Sequence, residues 1–170
     1  MSRADSKDGP LVSLRTQVRS GWTPAPRLLR HWVGAALGAR AAHQEVAVLI
    51  VGPAAMRRLN HQWRGKDKPT NVLSFPAQLP AGLPVGSLSA NAEAAALGDL
   101  VLCPQVLRRE AREQHKRERD HWAHLVVHGT LHLLGHDHEE PEEARRMERR
   151  EVRVLRQLGI ANPYLISHAA

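Results

Sequence analysis

A helix followed at once by a tight turn is what the stretch His128-Gly-Thr-Leu-His132-Leu-Leu-Gly-His136-Asp-His138 demands if its histidines are to act together. On a helix, His128 and His132 stand four residues apart and project from one face, about a turn from each other. Tetrahedral zinc draws its first two imidazoles from that kind of spacing. Gly135 then supplies a stop, because glycine adopts the left-handed conformation that ends helices. A turn there swings a third imidazole, from His136 or His138, back toward the same face. Three protein ligands leave one tetrahedral position for water, which is the catalytic rather than the structural arrangement. His124, one turn before His128, reads as a packing residue or as one that orients a ligand.

The rest of the chain sets bounds on what surrounds this site. A length of 170 residues suits a single domain, 1–170, with 1–22 less ordered at its start. Its longest aliphatic run, Val46 to Val51, falls far short of the roughly 20 apolar residues of a membrane span. Arg3, Asp5, Lys7 and Asp8 leave no apolar signal core, and Cys103 has no second cysteine to pair with. A cytoplasmic protein with no membrane contact is the expectation, with Cys103 a small buried residue. A net charge of +7 and a pI near 10.7 favour a polyanionic partner, nucleic acid first. From Arg57 to Lys68, five cations (Arg57, Arg58, Arg64, Lys66, Lys68) face Asp67 alone, a candidate binding patch. From Glu139 to Arg156, six glutamates alternate with six arginines, which reads as a solvated helix of ion pairs and only a surface.

Periodicity and punctuation give a coarse map. Leu11 to Val18 alternates as a strand, and Thr23-Pro24 leads into a helix over Arg27 to Leu37. Val46 to Val51 is a strand buried on both faces. Pro53 opens a helix with Met56 and Leu59 inward and Arg57 and Arg58 outward. Val72 to Phe75 is a short strand ended by Pro76. Residues 77–97, rich in Pro, Gly, Ala and Ser, read as a long loop. Gly98 to Cys103 forms another strand, Pro104 begins an arginine-rich helix, and Asp120 caps the metal helix, whose apolar contacts are Trp122, Leu125, Val126 and Leu133. The expected fold is α+β: a small mixed sheet flanked by helices, with the metal site on a central helix and the turn after it.

One absence narrows the chemistry. Zinc peptidases of the His-Glu-x-x-His type use the glutamate after the first histidine as general base. That position here is Gly129, which cannot take a proton. Arg64 offers a planar fork for phosphate oxygens, or else a surface pair with Asp67.

Several blocks together resemble the YbeY family of bacterial rRNA maturation factors. His128 to His138 is similar to the family's H-G-x-L-H-L-x-G-Y/H-D-H signature, and Asn60 to Pro76 to its N-x-x-x-R-x-x-D-x-P-T-D-V-L-S-F-P. Leu97 to Pro104 and Leu158 to Tyr164 match two further segments in the right order. The resemblance implies a single-strand-specific, metal-dependent endoribonuclease of rRNA maturation and ribosome quality control. It also implies one Zn2+ per chain on His128, His132 and His138, with Arg64 as the functional arginine. Single-stranded RNA, rRNA above all, is the implied partner, along with ribosomal proteins and a ribosome-associated GTPase. A ribosome assembly factor with a structural zinc, or a metallohydrolase for another substrate, are the competing readings. The sequence does not identify the base for cleavage: metal-bound hydroxide could serve, Asp137 lies within the motif, and the RNA's own 2′-hydroxyl could be the nucleophile. Two positions depart from the pattern. Asn71 replaces the usual Asp, which removes a charge expected near Arg64, and His136 stands where Tyr is common.

Overall fold

In the computed structural model, which describes residues 9–19, 21–42, 44–77 and 95–165, a strand, β1 (Leu11–Thr16), leads into α1 (Pro26–Leu37). There follow β2 (Gln44–Ile50), α2 (Pro53–Arg64), β3 (Val72–Pro76) and β4 (Ala95–Leu102), then α3 (Pro104–Glu113), α4 (Glu118–Leu133) and α5 (Pro141–Gln157). The strands lie in the order β1-β2-β4-β3, with β1, β2 and β4 parallel and β3 antiparallel to β4. This is the expected α+β fold with a mixed sheet. Proline opens α1, α2, α3 and α5, where its missing N–H goes unneeded and its fixed φ is already helical.

Alternation along the strands divides the core in two. Val46, Val48, Ile50, Leu100 and Leu102 turn toward the face covered by α1, α4 and α5. Leu73, Phe75, Val101 and Cys103 turn to the opposite face, where α2 lays down Met56 with Leu59 beside it. Cys103 is buried and free.

α4 is the central element. Between His121 and Leu133 every residue is buried except His124, His128 and His132, which form one half-open stripe at four-residue intervals. A helix enclosed on nearly all sides belongs to the middle of a fold. The sheet presses closely on it at Gly129. A Cβ there would lie 2.9 Å from Leu100 Cδ2 and 3.1 Å from Ser74 Oγ, and the Ser74 hydroxyl donates to the Gly129 carbonyl at 3.0 Å.

Some boundaries differ from expectation. α1 starts at Pro26, one residue before the expected Arg27, and ends at Leu37 as expected. α4 starts at Glu118 with Arg117 in the cap position and no side-chain cap, so Asp120 is not the cap. It sits in the first turn, where its charge suits the helix dipole. β4 begins at Ala95, because Ala95 and Ala96 extend its pairing with β2 and the Leu97 carbonyl accepts from Ala77, just beyond β3. The end of the expected 77–97 loop is therefore strand, and residues 78–94 lie outside the described residues.

Candidate metal centre

The histidine stripe of α4 runs into a turn that starts with backbone hydrogen bonds. Gly135 has φ +94°, its N–H reaches the His132 carbonyl at 3.0 Å, and the His136 N–H reaches the Leu131 carbonyl at 3.1 Å. Asp137 Oδ1 accepts the His138 N–H at 2.7 Å, which steadies the far side of the turn. The result is a gathering of ring nitrogens from His128, His132 and His138, all within 4.8 Å of one another. The His136 ring is not among them. Its backbone carbonyl instead accepts from Nδ1 of His132 at 2.8 Å.

These hydrogen bonds settle which ring nitrogens carry protons. A carbonyl can only accept, so Nδ1 of His132 bears its hydrogen. Nδ1 of His128 faces Oε1 of Glu151 and donates to it. In the neutral rings both Nε2 atoms are then bare lone pairs, and they face each other at 3.1 Å. Two lone pairs at that distance repel unless a cation lies between them. Tetrahedral zinc with bonds of about 2.0–2.1 Å sets its ligands about 3.3 Å apart, so the donor set suits such an ion. The His132 ring is poised to stay neutral. Burial, aided by His128 and His138, pushes the His132 pKa down to about 4. Burial likewise lowers that of His124.

Glu151 is the participant that sequence reasoning missed. It lies in the glutamate–arginine stretch expected to be surface, yet it is fully buried. Burial alone would raise its pKa, but hydrogen bonds from His124 and His128, with Tyr164 assisting, bring it down to about 2. Its position carried a signal. Met147, Glu151, Val154 and Leu155 are the buried residues of α5, an i, i+4, i+7, i+8 stripe with a carboxylate inside it. The remaining arginines and glutamates of the helix are the expected surface, with Arg146 bonded to Glu142 at 2.8 Å.

Arg64, the last residue of α2, is exposed and forms no ion pair with any described residue. It stands on the helix that packs against the other face of the sheet, and the structure does not join it to the histidines by hydrogen bond or ion pair. Asp67 pairs with Arg57 instead, through two bonds of 2.7 and 2.8 Å. Arg58, Arg64, Lys66 and Lys68 are left as exposed cations beside Trp63, whose ring packs edge-on to Phe75 at 6.2 Å. Asn71 does not bear on Arg64 as expected. Its amide donates to both oxygens of Glu110 at 3.1 Å, and Glu110 also holds the buried His121 at 2.7 Å.

A small mixed sheet carrying a helix with two facing imidazoles, and a third beyond a glycine turn, defines an α+β protein whose three clustered histidines could hold a metal ion. A family model described as "Endoribonuclease YbeY" matches residues 22–159, and the chain belongs to that family. Curated relatives carrying the same description include one from Alkalilimnicola ehrlichii, 51% identical over 162 residues that cover 92% of this chain and 93% of the relative. Another, from Halorhodospira halophila, is 51% identical over 142 residues, covering 83% and 88%. The solution structure of a Thermotoga maritima protein shares the fold, with a TM-score of 0.52 and 21% identity over 94% of this chain and 99% of that one. Among the described residues no helix is long and apolar enough to cross a membrane.

Proposed function

We propose that this chain is a zinc-dependent endoribonuclease that cuts single-stranded RNA, rRNA precursors above all, with His128, His132 and His138 as the metal ligands. The observation that carries the reading is the pair of bare Nε2 atoms facing each other at 3.1 Å, with both Nδ1 atoms committed elsewhere. The names of the relatives, endoribonucleases, supply the reaction class. A bound divalent ion supplies Lewis acidity to a phosphoryl oxygen and brings the pKa of a water toward about 7. The chain's own residues do the remainder. Three neutral imidazoles add no negative charge, so the site keeps its full attraction for a phosphodiester. Gly129 offers no proton acceptor where a peptidase has its glutamate, and the contacts at its Cα leave no room for one. The exposed cations from Arg58 to Lys68 suit a phosphate backbone, and Trp63, 39% exposed, suits a stacked base. The cytoplasm and the assembling ribosome are the setting this reading implies.

The test is cleavage of matched single-stranded and duplex RNAs by metal-replete and chelated protein, with metal content measured by elemental analysis. Cleavage confined to single strands and lost on chelation is the expected result. Equal cleavage with and without metal overturns the metal-centred reading, and equal cleavage of duplex overturns the strand preference.

A further inference from the structure

Glu151 has no exposed surface, and a carboxylate in such a position persists as an anion only when its oxygens are satisfied. Both are. Oε1 accepts from Nδ1 of His128, while Oε2 accepts from the Tyr164 hydroxyl and lies 3.1 Å from Nε2 of His124. The carboxylate on α5 thus joins two turns of α4 to the segment after α5. Each contact bears on the ring that matters. With its Nδ1 hydrogen held by Glu151, His128 must present Nε2 as the bare nitrogen, on the side of His132 and His138. Resting on the metal reading above, we infer that Glu151 is a positioning residue of the metal centre, held in place by Tyr164 and setting the tautomer, ring angle and donor strength of His128. A carboxylate behind a ligating imidazole raises its basicity and fixes its direction.

Two other roles are open to the same cluster. Glu151 could merely clamp α4 to α5. The group His124, His128 and Glu151 also has ligand atoms within 4.8 Å of one another and could itself hold an ion. The hydrogens decide against that ion. His128 and Tyr164 both present N–H or O–H to the carboxylate, and a cation among these groups would displace both.

The experiment uses the full chain as wild type, Glu151→Gln and Tyr164→Phe. Zinc affinity is measured by competition with a chromophoric chelator, stoichiometry by elemental analysis, and folding of the metal-free proteins by thermal melting. Glu151→Gln should bind zinc about 10- to 100-fold more weakly while its metal-free form still melts cooperatively. Tyr164→Phe should move affinity in the same direction by less, and the visible spectrum of the cobalt-substituted Glu151→Gln protein should shift. A mere clamp predicts lower melting temperatures with zinc affinity unchanged, and that result overturns the inference. If Glu151→Gln does not fold, Tyr164→Phe decides: the residue is 40% exposed and only the hydroxyl's contacts with Glu151 and His124 are lost, so unchanged affinity there is equally fatal. Two ions per wild-type chain would overturn the proton network. A wild-type chain that binds no zinc removes the metal reading itself, whereas tight binding by both variants removes only the role of Glu151.

Discussion

Replacing Gly129 by alanine sets two terms of known size against each other. Within a helix the change is worth about 0.5–1 kcal/mol in favour of alanine, because glycine loses more backbone freedom on folding. The new methyl group, however, would lie 2.9 Å from Leu100 Cδ2, 3.1 Å from Ser74 Oγ and 3.3 Å from Val72 Cγ2. All three neighbours belong to β3 and β4, and Leu100, the nearest, is fully buried and Val72 is buried, so neither can swing into solvent. Overpacking of this kind costs about 1–3 kcal/mol. The clash wins, and a net loss of about 1 kcal/mol is expected, or about 2–4 °C in melting temperature for a chain of this size. The assay is urea denaturation of the chelated protein, so that metal binding does not mask the difference. A Leu100→Val background should reduce the loss, with a coupling of at least about 0.5 kcal/mol for residues in contact. The lifted helix should also weaken zinc binding, since His128 adjoins the substituted residue. A Gly129→Ala protein that gains about 1 kcal/mol, as helix propensity alone requires, refutes the close-approach argument.

His138→Ala should strip the metal while His136→Ala keeps close to one ion per chain, because only the carbonyl of His136 serves the cluster; elemental analysis showing the reverse overturns the choice of third ligand. The family resemblance implies that Arg64 steadies charge growing on the scissile phosphate; if it reaches that phosphate once RNA is bound, Arg64→Lys, which keeps the charge but loses the bidentate fork, should slow single-turnover cleavage about 100- to 1000-fold, by analogy with loss of one oxyanion-hole donor, while RNA affinity largely survives. Wild-type cleavage by this variant, or a loss explained by weaker binding, sinks that role. In the metal-free chain, burial depresses His132 from 6.5 to about 4, so its stabilising contribution is complete above pH 6.5 and lost as pH falls toward 4. Asp99 has the opposite sign: burial and the Glu45 charge raise it from 3.8 to about 6, so the folded state loses stability as pH rises through that interval. Asp99→Asn should therefore gain stability over wild type above pH 6 and little below pH 4, and urea melts showing no such pH dependence would contradict this.

What could be read from the sequence followed from local rules, and what could not depended on packing. The strands at Val46 and Val72 and the helices after Pro53 and Pro104 announce themselves through aliphatic runs and proline punctuation. The imidazole spacing and the glycine stop announce the metal helix in the same way. The beginning of β4 does not, because Ala95 and Ala96 have no strand propensity and join the sheet through ladder pairing with Gln44 and Glu45. Glu151 shows the harder case. Counting charges along α5 makes it one more acidic residue, whereas its phase with Met147, Val154 and Leu155 places it inside. Periodicity tells which face a residue takes, but not that three donors from elsewhere wait there to satisfy it. Of the two readings of Arg64, the local pair with Asp67 drops out, because three-residue proximity only suggests a pair and the actual partner, Arg57, comes from ten residues away.

Asn71 is one of the two positions where this chain leaves the pattern it otherwise resembles, and its surroundings give a reason why aspartate would not serve here. Glu110 is part-buried and takes hydrogen bonds from the Asn71 amide and from His121, whose ring is only 3% exposed. Those bonds, with the charge of His121, keep the Glu110 carboxyl below its ordinary range against the upward pull of burial. Asn71→Asp removes one donor and sets a second carboxylate about as close to the first as the 3.1 Å that the amide now spans. Like charges so placed cannot both ionise freely. The variant should lose about 1–3 kcal/mol at neutral pH, the cost of leaving a buried acceptor without its partner. Glu110→Gln should restore much of that loss, because its amide can donate to the new carboxylate and the repulsion is gone. A double-mutant cycle by urea denaturation measures the effect. Additive losses, or an Asn71→Asp protein as stable as wild type, would show that asparagine is not held at this position by Glu110.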